Sequence, residues 1–237
     1  GANGQLGQEL VRCVTAAGHT AIGSTHESLD ITNEQAVIAT ISEAKPDVVI
    51  HAAAWTAVDA CESDPNKAML VNGTATAYIA AAAHAVGAHV VYISTDYVFD
   101  GTKTSPYVEA DVPNPTSVYG ESKLAGERAL GATDAIVRIA WVSGYHGANM
   151  VKTILRLRNE PQLRFVNDQI GNPTFADDAA AMIVRLAVEK RPGIWHITNQ
   201  GVASWFEFAR EVLLAAGQDA NKVLPLATSE LQPPRPA

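Results

Sequence analysis

Tyr119 and Lys123, the ends of the run Tyr-Gly-Glu-Ser-Lys, stand one turn apart on the same face of a helix. An ammonium in that place favours the phenolate and lowers a tyrosine pKa that starts near ~10, so the pair reads as a proton donor usable near neutral pH. Upstream, Ser-Thr-Asp-Tyr-Val-Phe-Asp-Gly at 94–101 follows the apolar run Val90-Val91-Tyr92-Ile93. Thr95, at the end of that run, can offer its hydroxyl to the same carbonyl oxygen. The three side chains are the parts needed to reduce a ketone with a nicotinamide cofactor. Tyr-x-x-x-Lys alone recurs in many exposed helices as a solvated lysine beside a half-buried tyrosine, so the surrounding sequence carries the weight.

The start of the chain reads Gly1-Ala-Asn-Gly4-Gln5-Leu6-Gly7 ahead of an amphipathic stretch over 5–17. A glycine turn opening a helix aims free amides at a pyrophosphate. Gly4 lets the backbone approach phosphate, and Gly7 permits close helix–strand packing. At the end of the second expected strand, Gly23-Ser24-Thr25-His26 supplies neither the carboxylate that grips a ribose 2′-hydroxyl nor an arginine for a 2′-phosphate. Either NADPH or NADH is accommodated, with NADPH slightly favoured. Asp30-Ile31 can hold the adenine edge or simply precede the helix that starts at Thr32-Asn33. Ala52, Ala53 and Ala54 in His-Ala-Ala-Ala-Trp-Thr let a flat dinucleotide lie against the sheet's crevice. The expected cofactor-facing set is Gly1, Gly4, Gln5, Leu6, Gly7, Ser24, Asp30, Ile31, Ala52, Ala53, Ala54 and Thr56, with Tyr119 and Lys123.

These residues need an open parallel sheet to bring them together. Short apolar runs alternate with longer amphipathic ones, the pattern of parallel strands covered by helices. Strands are predicted over 20–24, 48–52, 89–94, 135–140, 164–166 and 193–197, and helices over 5–17, 33–44, 64–86, 118–130, 149–158, 176–188 and 204–216. The fold expected is α/β, a doubly wound Rossmann-type parallel sheet, with a dinucleotide-binding domain over 1–141. A smaller C-terminal substrate lobe over 142–237 sends segments around 164–200 back to the sheet. A strand is expected ahead of Gly1, because the glycine turn normally follows the central strand, so the sequence reads as clipped there. The final six residues, 232–237, read as an extended tail.

Composition narrows the partners. At 237 residues, 47 % hydrophobic and 18 % charged, the chain is long enough for one large globular unit or a domain with a lobe. A formal net charge of −8 argues against nucleic acid, which needs a basic footprint. Cys13 and Cys61 lack metal-ligand spacing and read as reduced thiols of a cytoplasmic protein. No apolar run reaches membrane-spanning length, so no membrane partner is expected.

With its motifs assembled, the chain resembles the extended short-chain dehydrogenase/reductases, and within them the dTDP-4-dehydrorhamnose reductase family. The likeness covers nearly the whole chain. It rests on 1–7, Leu29-Asp-Ile31, the segment 51–62, 94–101, Tyr119 to Lys123, Arg138-Ile-Ala-Trp141-Val, Asp168-Gln-Ile-Gly-Asn-Pro-Thr174, Trp195-His196, Ser204-Trp205 and Arg235-Pro236. The resemblance implies that Thr95, Tyr119 and Lys123 are catalytic, and that Thr56, Val58, Thr95, Asp96, Tyr97 and Trp141 lie near a nucleotide sugar. It implies reduction of the C4 ketone of dTDP-4-dehydro-β-L-rhamnose to dTDP-L-rhamnose by hydride from NADPH or NADH. It further suggests a homodimer, paired in some members through a divalent metal, but no residues here can be assigned to Mg2+ or any other metal. Three departures, Trp55, Trp195 and Ile139, keep the bulk or apolar character of the usual residues. Rival readings are another nucleotide-sugar reductase or epimerase, a dehydratase, and a non-catalytic regulatory subunit of the same superfamily. Asp96 is followed by Tyr97 rather than the Glu of a dehydratase, and the survival of Thr95, Tyr119, Lys123 and Trp141 together favours an enzyme over a binding subunit.

Overall fold

Local spacing places most elements. The computed structural model describes residues 1–231. In chain order it runs α1 (Gln5–Ala16), α2 (Glu34–Ala44), β1 (Val48–His51), α3 (Val58–Ser63), α4 (Pro65–Ala68), a π-helical turn (Met69–Thr74), α5 (Ala75–Ala85) and β2 (His89–Thr95). It continues with α6 (Val118–Arg128), β3 (Ala135–Ile139), β4 (Val142–Ser143), α7 (Met150–Arg156), β5 (Leu163–Val166), β6 (Ile170–Gly171), β7 (Thr174–Phe175), α8 (Ala176–Val188), β8 (Gly193–His196), β9 (Ala203–Ser204), α9 (Trp205–Ala215) and β10 (Val223–Leu226).

The main sheet is parallel, in the order β1-β2-β3-β8. All seven residues of β2 are buried, as a strand covered on both faces requires. Alternation decides which side each residue serves: Val91 and Ile93 pack with Leu10 of α1 and with Ile183 and Val184 of α8, while Val90 packs with Ala83 and Ala88 on the α5 side. Helices thus cover both faces, the α/β architecture expected. Beyond β3 a smaller core forms from Ile154, Leu163, Ala209, Leu213 and Val223, joining α7, β5, α9 and β10.

Three expectations shift. The stretch 20–24 is not a strand: among the described residues no strand runs beside it, so its backbone has no ladder, and Ile22 is two-thirds exposed. It is tied instead by the Ala2 amide donating to the Ser24 carbonyl at 3.0 Å. The single helix predicted over 64–86 is three segments. Asp64 caps a new start with Pro65 at the first helical position, and the chain then widens into the π turn around the fully buried Asn72. Residues 163–166 form a strand, but it pairs with β10 rather than entering the main sheet, whereas α8 and β8 do lie on that sheet. β10 was invisible in the sequence because Pro225 interrupts its donors, which a two-stranded edge pairing tolerates. The expected tail over 232–237 lies outside the described residues.

Candidate active site

Helix α6 is pressed onto β2 by two glycines. A Cβ at Gly120 would collide with the Tyr97 carbonyl oxygen, and one at Gly126 with the Tyr92 hydroxyl, lying also only 2.6 Å from the Asn72 carbonyl. Ser117 caps the helix by accepting from the Gly120 amide at 3.1 Å, and Glu62 accepts from the Val118 amide at 2.8 Å. This close seating brings Tyr119, on the first turn, against the end of β2. The Tyr119 hydroxyl is directed to the Thr95 side chain, which favours its phenolate. Thr95 in turn donates to Asp96 Oδ1 at 3.0 Å and accepts from the Tyr97 amide at 3.2 Å.

Lys123 lies one turn on, 2 % exposed, and donates from Nζ to the Ile93 carbonyl at 2.7 Å. It also sits 4.1 Å from the centre of the Tyr92 ring, whose hydroxyl is directed to the Asn72 carbonyl. Burial drives the electrostatics here. It pushes Lys123 down to about 7, partly opposed by the carboxylate of Glu127 one further turn along α6. It pushes Asp96 up to about 6 against the help of Thr95 and backbone amides. It pushes Tyr119 well above the usual phenol range, with Asp96 adding to the rise. The expectation that Lys123 lowers the Tyr119 pKa is therefore corrected: desolvation outweighs it, and the ammonium is directed at Ile93.

The cofactor residues sort by how they can act. A Cβ at Gly1 would stand 2.7 Å from the Ala52 and Ala53 backbone, so the glycine turn meets the alanine run at the carboxyl end of β1. Gly7 has no room for a side chain because the turn's own Gly1 carbonyl occupies it; the crowding is with the turn rather than with a strand. Gly4 caps α1 without a side-chain acceptor, and the first turn holds no acid. In contrast α2, α4, α6, α7 and α9 each receive a side-chain oxygen from Asn33, Asp64, Ser117, Asn149 and Ser204. The start of α1 is left free for an anion, and the small Ala52–Ala54 wall beside it suits a dinucleotide. Leu6 packs into the main core and so has only backbone to offer. The Gln5 side chain turns away toward residues 142–149, leaving its amide as its one means of touching a phosphate. Ser24 is tied through its carbonyl, Asp30 Oδ1 accepts from the Thr32 amide and hydroxyl at 2.9 and 2.7 Å, and Ile31 packs with Val37 and Ile79. Thr56 is exposed beyond the alanine run.

On the substrate side, Val58, Trp55 and Tyr97 pack around Tyr119 and Cys61, with the Tyr97 and Tyr119 rings edge to face at 5.5 Å. Trp141, between β3 and β4, has φ +47 and its ring is stacked on Trp205 at 3.5 Å and 8°. A Cβ on Gly171 would overlap the same ring. Trp205 and the Gly171 backbone thus already lie against the Trp141 ring. Four residues had no role assigned from the sequence. Asn72 accepts from the Trp55 amide at 2.8 Å and donates to the Trp55 carbonyl and to Ser122 Oγ, each at 3.0 Å, joining the alanine loop to α6. Glu127 and Arg138 form a buried bidentate pair, at 2.9 and 2.7 Å, that also receives Ser94. Trp205 supplies the stack; its place in Ser-Trp after a turn was the only available signal. Among the described residues no group of three or more His, Cys, Asp or Glu side chains is arranged to hold a metal, and no helix is long and apolar enough to cross a membrane.

Comparison with known proteins gives the family. The RmlD substrate binding domain model covers residues 1–237. Dehydrorhamnose reductase (dTDP-4-) of Escherichia coli is 40 % identical over 98 % of this chain and 80 % of its own length. The spore coat polysaccharide biosynthesis protein SpsK of Bacillus subtilis is 41 % identical over 100 % of this chain and 85 % of its own. Two crystal structures superpose closely. The dTDP-4-dehydrorhamnose reductase of Clostridium acetobutylicum has a TM-score of 0.94 at 44 % identity, covering 100 % of this chain and 85 % of that one. The enzyme of the same name from Bacillus anthracis, in complex with NADP, has a TM-score of 0.93 at 40 % identity, covering 97 % and 83 %. On a match that runs its full length, and with the glycine turn, the Thr95–Tyr119 pair and Lys123 at one end of a parallel sheet, the chain belongs to the RmlD substrate-binding domain family.

Proposed function

We propose that this protein reduces the C4 ketone of dTDP-4-dehydro-β-L-rhamnose to the alcohol of dTDP-L-rhamnose. The observation that carries the reading is the buried meeting of Thr95 and Tyr119 at the end of β2, with Lys123, also buried, one turn along α6. Bound NADPH or NADH supplies the hydride that C4 receives. Thr95 holds the carbonyl oxygen, and Tyr119 transfers its phenolic proton to that oxygen as the C–H bond forms, so that C=O becomes CH–OH. With its pKa raised, Tyr119 is fully protonated at neutral pH, and an alkoxide is basic enough to take the proton even so. The resulting phenolate regains a proton from solvent. Lys123 uses one donor on Ile93 and keeps two for the ribose hydroxyls of the cofactor. Val58 and Tyr97, packed around Tyr119, and Trp141, stacked on Trp205, line the approach of the sugar.

The glycine turn, the uncapped α1 start and the alanine wall support the dinucleotide, and the lack of acid or arginine at 24–26 supports use of either cofactor form. Two free cysteines and kinship to bacterial biosynthetic enzymes support action in the cytoplasm. Pairing of two copies, implied by the family, is tested by sedimentation. The reading itself is tested by mixing the protein, reduced cofactor and the 4-keto nucleotide sugar and following loss of reduced-nicotinamide absorbance. Cofactor that binds tightly but is never consumed would favour a regulatory subunit instead.

A further inference from the structure

The Gln5 side chain reaches across 137 residues of sequence to donate from Nε2 to the Val142 carbonyl at 2.9 Å. Its Oε1 accepts from the Gly144 amide at 3.0 Å and from Asn149 Nδ2 at 2.7 Å. Asn149 Nδ2 also donates to the Gly144 carbonyl at 2.8 Å, while Asn149 Oδ1 caps α7 by accepting from the Lys152 amide at 3.0 Å. Every polar atom of the Gln5 amide is therefore engaged with one segment, the one that leaves Trp141. The packing there is shaped around it: a Cβ on Gly147 would lie 3.2 Å from Gln5 Cβ, and one on Gly144 would press to 2.8 Å on Ala176 and 3.5 Å on Gln5 Cγ.

Gln5 is also the first residue of α1, directly after the glycine turn. Its backbone faces the site read as holding the pyrophosphate, and its side chain holds the segment that follows the sugar-side tryptophan. We propose that Gln5 is a positioning residue that sets the sugar lobe against the bound cofactor, and so fixes the separation between the hydride donor and C4. The inference rests on the reductase reading for its kinetic consequence, but not for the clasp itself. A partial ångström of slack between reacting groups is enough to cost rate steeply, whereas the phosphate contact through the Gln5 amide survives any change of side chain.

Gln5→Leu keeps the bulk and removes all three bonds. Its kcat/KM for the nucleotide sugar should fall roughly ten- to hundredfold, while the dissociation constant for NADPH stays within about threefold of wild type. Asn149→Asp keeps the α7 cap yet loses the donor to Gln5, and should lower kcat/KM in the same way. The double variant should be no worse than Gln5→Leu alone, since both act through one clasp. Independently of turnover, amide exchange at Gly144 should accelerate in Gln5→Leu. A direct cofactor role would instead weaken NADPH binding tenfold or more with sugar kinetics intact, and a merely structural role would affect both ligands alike with additive single variants; either overturns the proposal. Should Gln5→Leu fail to fold, Asn149→Asp and its kinetic split decide. If wild type never reduces the sugar, the reductase reading falls, while unchanged Gly144 exchange in Gln5→Leu would sink the clasp alone.

Discussion

At the scale of single residues, the site divides its labour between a proton source and a cationic holder. Tyr119→Phe removes the hydroxyl beside Thr95 and should lower turnover roughly 10²–10⁴-fold while leaving cofactor affinity nearly intact. Lys123→Ala should damage both, because Lys123 offers donors to the ribose as well as lying beside the chemistry. Equal and mild losses from the two would contradict this division. Lys123 also predicts a pH dependence. Burial lowers it to about 7 in the free protein, so the ammonium is the major form only below that pH. Cofactor affinity, measured by direct titration, should weaken through about pH 7 as pH rises, by roughly tenfold, the ~1.4 kcal/mol that separates a charge-assisted bond from a neutral one. Lys123→Met should show a weaker, pH-independent affinity.

Among elements, α6 and the π turn act as one unit. Asn72 sits in the widened turn, fully buried, and bonds both backbone groups of Trp55 as well as Ser122, whose hydroxyl in turn donates to the Tyr119 carbonyl at 2.8 Å. A helix of regular pitch over 64–86, the expectation from periodicity alone, would place this side chain differently, and π turns gather at functional sites for such reasons. Asn72→Ala leaves the part-buried Trp55 amide unpaired and takes one donor each from the Trp55 carbonyl and Ser122 Oγ, and should destabilise the fold by about 1–3 kcal/mol. Denaturant unfolding measures this. Turnover should fall further than cofactor affinity, because the α6 face bearing Tyr119 loses its tether. Spacing made α6 and its Tyr–Lys face legible; the glycines at 120 and 126 explain the seating only once the partner backbone at Tyr97 and Asn72 is in view.

For the molecule as a whole, two buried groups set opposing pH trends in stability. His51, bonded to Thr76 at 3.1 Å, is held down to about 3 by burial, with Lys123 adding to the effect. Its folded pKa lies below the unfolded value near 6.5, so its contribution is complete above that pH and is lost as pH falls toward about 3. Asp96, raised to about 6, does the reverse: the fold carries its penalty above about 6 and sheds it as pH drops toward the unfolded value of 3.8. The two therefore oppose one another between pH 7 and pH 5. His51→Gln removes one side of the balance. Its stability deficit relative to wild type should shrink by about 2 kcal/mol on going from pH 7 to pH 5 in urea titrations. A deficit independent of pH would mean that His51 titrates in the native state as it does in the unfolded chain.

What the sequence by itself determined was everything governed by near neighbours. The alternation of apolar runs with amphipathic stretches specified an α/β fold, the four-residue spacing specified that Tyr119 and Lys123 share a face, and the glycine turn specified a helix start without a cap. These follow from backbone geometry that repeats within a few residues. Tertiary structure alone decided which strands share the main sheet, because β5 and β10 satisfy each other's backbone bonds in a separate two-stranded sheet. It decided that burial governs the Tyr119 pKa, that Trp141 stacks on Trp205, and that the Gln5 side chain serves the segment after Trp141 rather than the phosphate site. Desolvation and partner choice depend on groups that meet only when distant parts of the chain close on one another, and no local spacing records them.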